Sequence, residues 1–386
     1  MNNFEQRAAA LGLSPSEDFA GMMSIPTLDK LKEIVNIPGL TPSYADIGTA
    51  VPGAGDDHTL AISDMVARHV YGEEKLSDAD RALAESAFPL EVFVISKQDK
   101  RITGLWDLNE GGSGPVIVSL GTLIIQDGGH ITIANRTLEF TVDNLVREGS
   151  QSPPGDMRMF NILGMTGTNG YPGTTPAAPG QAQNGSPGNC SSAGIAGRSG
   201  EDGKPGVQGA TGNPGQPGNP GLPSLPATIR IGKVAPEETR LSFTTQSGAG
   251  GAGGQGGAGS TGGRGGNGGN GATCGCTGSS GGSGAQGGGG GSGGQGGQGG
   301  NGTSAAGNIS VFLPLKSSEC ERKYYPAQPG AGGAGGAGGE GGGGGRGGKH
   351  NAGGSGGGQG AQGNNGPAGS AGAQVGLPAE IRINPF

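Results

Sequence analysis

The sequence predicts a β core, either a solenoid or a sandwich, with a small α-helical N-terminal domain and three glycine-rich excursions packed as threefold helices. Three observations carry this prediction. Glycine recurs at every third position from Gly250 to Gly271, from Gly330 to Gly348 and from Gly354 to Gly372, and an earlier block keeps the period from Gly194 to Gly221. Short β-branched segments flank every block. The first 90 residues hold little glycine and carry helical spacing instead. Three residues per turn is the repeat of the polyproline-II-type helix. The phase of the glycines is therefore the signal, beyond their number of 92 in 386 residues.

Residues 1–90 read as helical. Phe4 to Leu11 is a short, alanine-rich helix. Leu28, Leu31, Ile34 and Val35 form an amphipathic stripe that stops at Pro38-Gly39. Leu60 to Val70 is a second candidate. Ser77 to Ala87 is the best, since Ser77 and Asp80 resemble a capping box and Pro89 ends it.

The β core begins at residues 91–163. Val92 to Ile95 is apolar and β-branched, and Ile102 to Leu108 is expected to follow across a charged turn, Gln98-Asp99-Lys100-Arg101. Alternation is clear in His130 to Ile133 and in Leu138 to Val142. Strands resume over 225–246, 308–316 and 379–384, after each glycine block. The echo between 225–231 (LPATIRI) and 377–383 (LPAEIRI) suggests that each block re-enters the core in the same way.

The blocks span 164–224, 247–307 and 328–377. Blocks two and three break once near their middles, at 272–280 and 349–352, so each reads as a hairpin of two rods. A 22-residue rod would be about 68 Å long. An isolated rod has no internal hydrogen bonds, and ordering glycine is entropically expensive. Packed rods offset that cost by bonding N–H groups to carbonyls of neighbouring rods. A flexible linker and a collagen triple helix are the competing readings. Residues 194–221 look collagenous, but the glycine runs 250–302 and 330–365 hold no proline.

Composition excludes several function classes. A net charge of −7 gives no reason to expect a nucleic-acid partner. The N-terminus has no secretory signal pattern, and no apolar run is long enough to cross a bilayer, so no transmembrane segment is expected. Work outside the cell, or on a particle surface, then needs another exit route, with the cytoplasm as the location until release. Cys190, Cys274, Cys276 and Cys320 lack zinc-ligand spacing. The cysteines at 274 and 276 could pair with Cys190, or all four remain thiols. GxGxxG matches are trivial at this glycine content, and the Asp56-Asp57-His58 cluster reads as a solvated loop. No catalytic constellation, metal site or cofactor site is expected, and no enzyme.

The stretches 262–271 (GGRGGNGGNG) and 332–342 (GGAGGAGGEGG) resemble three groups that share the polyglycine-II bundle: the snow-flea antifreeze proteins, the adhesins of T-even-type phage tail fibres, and the glycine-rich repeats of mycobacterial PE-PGRS proteins. The β stretch before the first block is similar to bacterial β-solenoid proteins with glycine-rich insertions. The phage resemblance implies receptor contacts on loops at the end of the bundle. Those loops are expected at Tyr171 with 174–184, at Thr273 to Thr277, and at Lys349, His350 and Asn351. A rigid module that binds a cell-surface glycan or protein receptor follows, with residues 1–90 joining it to a partner subunit or particle. A secreted toxin component and an ice-binding protein are the alternatives.

Overall fold

The computed structural model describes residues 3–36, 57–72, 75–112, 114–149, 155, 158–190, 197–237, 239–275, 277–315 and 319–386. Its core is built from two sheets. One has seven strands: β1 (Phe19–Ile25), β2 (Leu90–Ile102), β4 (Val116–Ile125), β6 (Leu138–Arg147), β8 (Ala227–Ala235), β12 (Ile309–Leu313) and β14 (Ile381–Pro385), in that spatial order. The other has five: β3 (Leu105–Asp107), β5 (His130–Ala134), β7 (Phe160–Leu163), β9 (Leu241–Gln246) and β13 (Cys320–Tyr325). From β2 onward the chain alternates between the sheets, and each strand lies parallel to its predecessor in the same sheet. That is the connectivity of a solenoid, and it removes the antiparallel sandwich from the two core architectures the sequence allowed.

Alternation along the strands sorts side chains between inside and outside. Val118, Leu120, Phe140, Val142, Ile229 and Ile231 of the larger sheet join Ile131, Phe160 and Phe243 of the smaller one in a single buried cluster. Phe140 meets Phe160 edge-on at 5.5 Å, and Phe160 stacks on Phe243 at 5.3 Å, so aromatic rings run from coil to coil. Such pairs contribute roughly 0.5–1.5 kcal/mol each beyond their burial.

Four helices lie among the described residues: α1 (Asn3–Ala10), α2 (Leu28–Val35), α3 (Asp57–Tyr71) and α4 (Asp78–Glu85). Ser77 caps α4, its hydroxyl accepting from the Asp80 amide at 3.1 Å. The helices cover the outer face of the larger sheet, where Leu11, Ile34, Val35 and Val70 pack on Val92, Val94 and Ile117. Two buried arginines join the layers. Arg7 on α1 donates to Ser119 Oγ at 2.9 Å and pairs with Asp143 of β6. Arg230 on β8 donates to Glu139 Oε2 at 3.0 Å, and the Tyr71 hydroxyl donates to the same carboxylate. Burial, then the Glu139 charge, pushes the Tyr71 hydroxyl well above the usual phenol range.

Two expectations change here. Residues 1–90 are not purely helical, because Phe19–Ile25 pairs antiparallel with β2 and extends the larger sheet. Gln98-Asp99-Lys100-Arg101 is not a turn but the second half of β2. Its charges find partners along the strand: Lys100 lies over the Trp106 ring at 4.9 Å, and Arg101 pairs with Glu148.

The glycine segments leave the ends of β7, β9 and β13 and return to β8, β12 and β14. Each has an outgoing and a returning limb: 164–190 and 197–222, then 247–272 and 279–303, then 328–349 and 354–376. We number these limbs 1 to 6. Apart from isolated bridges at their bases, the limbs carry neither helix nor strand, yet backbone bonds join them at every third residue. Outgoing limbs are parallel to one another, as in Gly170 N to Ala252 O and Gly253 N to Ala331 O, both 2.8 Å. Returning limbs are parallel too, as in Gly212 N to Ser292 O at 2.9 Å. Outgoing and returning limbs are antiparallel, as in Gly294 N to Gly257 O at 2.8 Å and Gly336 N to Gly294 O at 2.8 Å. The order within each set follows the strand order of the sheet it extends.

Close approach explains the residue type. A Cβ on Gly291 would stand 1.9 Å from the Ala210 carbonyl oxygen, whereas one on Gly343 would meet nothing within 4 Å. Gly291→Ala should therefore destabilise the protein by about 1–3 kcal/mol or more, read as a lower urea midpoint, and Gly343→Ala should leave the midpoint unchanged. Glu139→Ala should cost about 3–5 kcal/mol in the same experiment, because it leaves the Arg230 charge buried without its carboxylate.

Candidate functional site at the far turns

The limbs reverse direction at the end remote from the sheets, and these reversals are tied together. Cys190, at the end of limb 1, forms a disulfide with Cys274, with Cα atoms 5.7 Å apart. Cys274 belongs to a two-residue ladder, β10 (Thr273–Cys274) with β11 (Thr277–Gly278), which turns limb 3 into limb 4 through Gly275 at φ 62°. The third reversal joins limb 5 to limb 6 through His350 and Asn351. Thr273 Oγ1 lies 3.2 Å from His350 Nδ1, and Asn351 Nδ2 donates to the Gly278 carbonyl at 2.8 Å. Thr277 Oγ1 donates to the Cys274 carbonyl at 3.4 Å. The Lys349 amide donates to Asn270 Oδ1 at 2.9 Å, and the lysine side chain is exposed.

His350 has φ 114° and Asn351 has φ 28°. Non-glycine residues rarely occupy this region, and a histidine there is strained. Glycine would fit both positions without strain and is the commonest residue around them. The turn therefore keeps two polar side chains at a conformational cost.

Tyr171 does not belong to this group. It sits within limb 1, where its carbonyl accepts from the Gln216 amide at 2.9 Å. The stretch 174–184 is not a turn either. Ala182 N donates to Arg264 O at 2.8 Å in the register already set by Gly170 and Gly173. Pro176, Pro179 and Ala182 occupy the glycine phase there, and proline's fixed φ suits a threefold helix. Limb 1 runs on to Cys190, and the residues between it and limb 2 lie outside the described ones. Cys276 and Asp56 lie outside the described residues, as do the side chains of Asp57 and His58.

Cys320 is buried at the start of β13, and burial pushes its thiol up to about 11. Among the described residues, no three His, Cys, Asp or Glu are placed to hold a metal ion, and no helix is long and apolar enough to cross a membrane. The residues the sequence reading missed are Asn184, Asn267 and Asn270, whose side chains bond the amides of the next limb at 2.8–2.9 Å. Their in-phase spacing of three within 267–270 was the available signal.

No protein family and no curated protein matches this sequence. Among solved structures, the nine polyproline type II helical bundle antifreeze protein of the springtail Granisotoma rainieri aligns at 20% identity over 61% of this chain and 100% of its own, with a TM-score of 0.07. A superposition that poor carries no argument about fold or function.

The Cys190–Cys274 bond closes a segment of sequence separation 84. In the chain-entropy view, a closure of this length stabilises by about 4–5 kcal/mol. The double variant Cys190→Ser/Cys274→Ser should therefore unfold at a lower midpoint. Hydrogen exchange should quicken first around 186–190 and 271–275 and leave the limb bases protected.

Proposed function

We propose that the six limbs form a two-layered sandwich of polyglycine-II helices, and that the chain is a non-enzymatic surface-recognition module, an adhesin or host-targeting tip. The period-three backbone bonds support the first part, together with the single positive φ, at Gly275, among the described limb and turn glycines. The second part rests on one observation above all: the strained His350-Asn351 turn, held against Thr273 and Gly278 at the far end of the molecule. A glycine-rich chain has no steric need for those side chains at that place, and recognition gives them one.

The disulfide between limbs favours a place outside the reducing cytosol, because such bonds persist in oxidising surroundings. A toxin role for residues 1–90 has less support. Arg7 and Tyr71 tie the helical layer to β4, β6 and β8, which suits a fixed attachment platform more than a released effector.

The intact chain should attach to the surface of at least one cell type in a panel of bacterial and animal cells. The variant Thr273→Ala/His350→Gly/Asn351→Gly should lose that attachment while keeping the amide protection of the limbs. Attachment at the level of the unaltered chain would refute the assignment of the turns.

A further inference from the structure

The outer face of limbs 1, 3 and 5 carries, close to the turns, an array of hydrogen-bond donors, bounded on the side of the sheets by the carboxylate of Glu340. Gly265, Gly268 and Gly271 donate to the carbonyls of Gly343, Arg346 and Lys349 at 2.9, 2.8 and 3.0 Å. This register sets Arg264 beside the bare Gly343, Arg346 beside Asn267, and Lys349 beside Asn270. One triplet advances about 9 Å in a threefold helix. Arg264, Arg346 and Lys349 thus occupy three successive levels on adjacent limbs, and all three are exposed. Neither guanidinium nor the ammonium group has a hydrogen-bond or ion-pair partner among the described residues. Most arginines of the solenoid do, Arg101, Arg158, Arg230 and Arg382 among them.

The amides between these cations are oriented as donors. Asn184 Oδ1 accepts from the Asn267 amide at 2.8 Å, Asn267 Oδ1 from the Arg346 amide at 2.8 Å, and Asn270 Oδ1 from the Lys349 amide at 2.9 Å. A backbone N–H can only donate, so Oδ1 must be the atom engaged. Each Nδ2 group, with two hydrogens, is left free on the surface. On the same columns, the carboxylate among the described residues is Glu340, one triplet, about 9 Å, from the level of Arg264 and two triplets, about 19 Å, from Arg346.

We infer that this face docks an anionic polysaccharide. The inference rests on the polyglycine-II sandwich and surface-recognition reading and names its ligand class. A flat face, fixed by backbone bonds and carrying cations at steps of about 9 Å, matches a polymer with widely spaced sulfates or carboxylates. The free amide donors suit the hydroxyls between them. A nucleic acid fits less well. Its phosphates recur about every 3.4 Å per strand, and the columns of limbs 3 and 5 carry no Phe, Tyr or Trp for a base to stack on. A bilayer would find no large apolar side chain there to bury.

Binding of the full-length protein to heparin, to alginate, to neutral dextran and to a DNA duplex decides the matter, measured by calorimetry at low and at physiological salt. Heparin or alginate should bind and dextran should not, with affinity falling as salt rises. The variant Arg264→Gln/Arg346→Gln/Lys349→Gln should weaken binding about tenfold, each exposed ion contact counting for about a factor of two. Lys204→Gln, which removes one positive charge from limb 2, should change nothing, and Glu340→Gln should tighten binding. Failure of both anionic glycans to bind, equal binding by the triple variant, or tighter binding of the DNA duplex would each overturn the proposal. Cell attachment by the unaltered chain, measured in parallel, separates the two readings. Attachment without glycan binding removes the ligand class and leaves the recognition module standing. Glycan binding without attachment does the reverse.

Discussion

The structure depends on one interaction, the hydrogen bond from a backbone N–H of one limb to a backbone carbonyl of the next, repeated at every third residue. A limb with neither helix nor strand bonds none of its own backbone groups to one another, so each limb is stable only to the extent that its neighbours complete it. That condition forces glycine. The interior contact brings a carbonyl oxygen to within about 2 Å of where a Cβ would stand, as at Gly256 against Gly294 and at Gly287 against Gly342. No rotamer relieves a clash with backbone, so the choice of residue is steric before it is conformational. The entropy lost by ordering so much glycine is large. It is offset collectively, which makes the array cooperative.

The solenoid supplies what the limbs cannot, a starting register. Limbs 1, 3 and 5 continue β7, β9 and β13, already paired in parallel, and limbs 2, 4 and 6 lead into β8, β12 and β14. Leu163 faces Gln246 in the sheet, and Gly164 N then donates to Gln246 O at 2.7 Å. The hydrogen-bond ladder passes from pleated strand to glycine limb without interruption. Glycine content then grades with position. Limb 3 lies among limbs 1, 2, 4 and 5, limb 4 lies among limbs 2, 3, 5 and 6, and both carry two glycines in most triplets. Limbs 1 and 6, at the two edges, carry one and fill the remaining positions with Pro, Asn, Thr and Gln.

This grading explains what was legible in the sequence. Strict period, GGx in blocks two and three and the strands between blocks led to the outgoing and returning limbs, and the stripe from Leu28 to Val35 and the cap at Ser77 marked helices that the structure has. The first limb was misread because Pro176 and Pro179 stand where glycine was counted. At an edge, one face of the limb needs neither a bare Cα nor an N–H. Strand β1 was missed for a related reason. Its FAGMMSI sequence has weak β propensity, and its pairing with β2 is set by a partner some 70 residues away. The amide-to-backbone bonds of Asn184, Asn267 and Asn270 need the register between limbs, which no single segment contains.

Where a protein can recognise anything follows from the same interaction. In limbs 3 and 4, two residues of each triplet turn toward neighbouring limbs and are mostly buried, so only the third projects outward. Chemistry is therefore confined to two outer faces and to the turns. The returning face holds small neutral residues in limb 4, such as Ser280, Ser283, Gln286 and Ser292. The outgoing face holds Arg264, Arg346 and Lys349 near the turns and alanines at 249, 252, 331 and 334 near the base. An inert base and a donor-rich end on one rigid face is an asymmetry that packing does not require, since those positions point to solvent. The far end of the outgoing face and the turn beside it are the parts of the molecule that packing leaves free to vary.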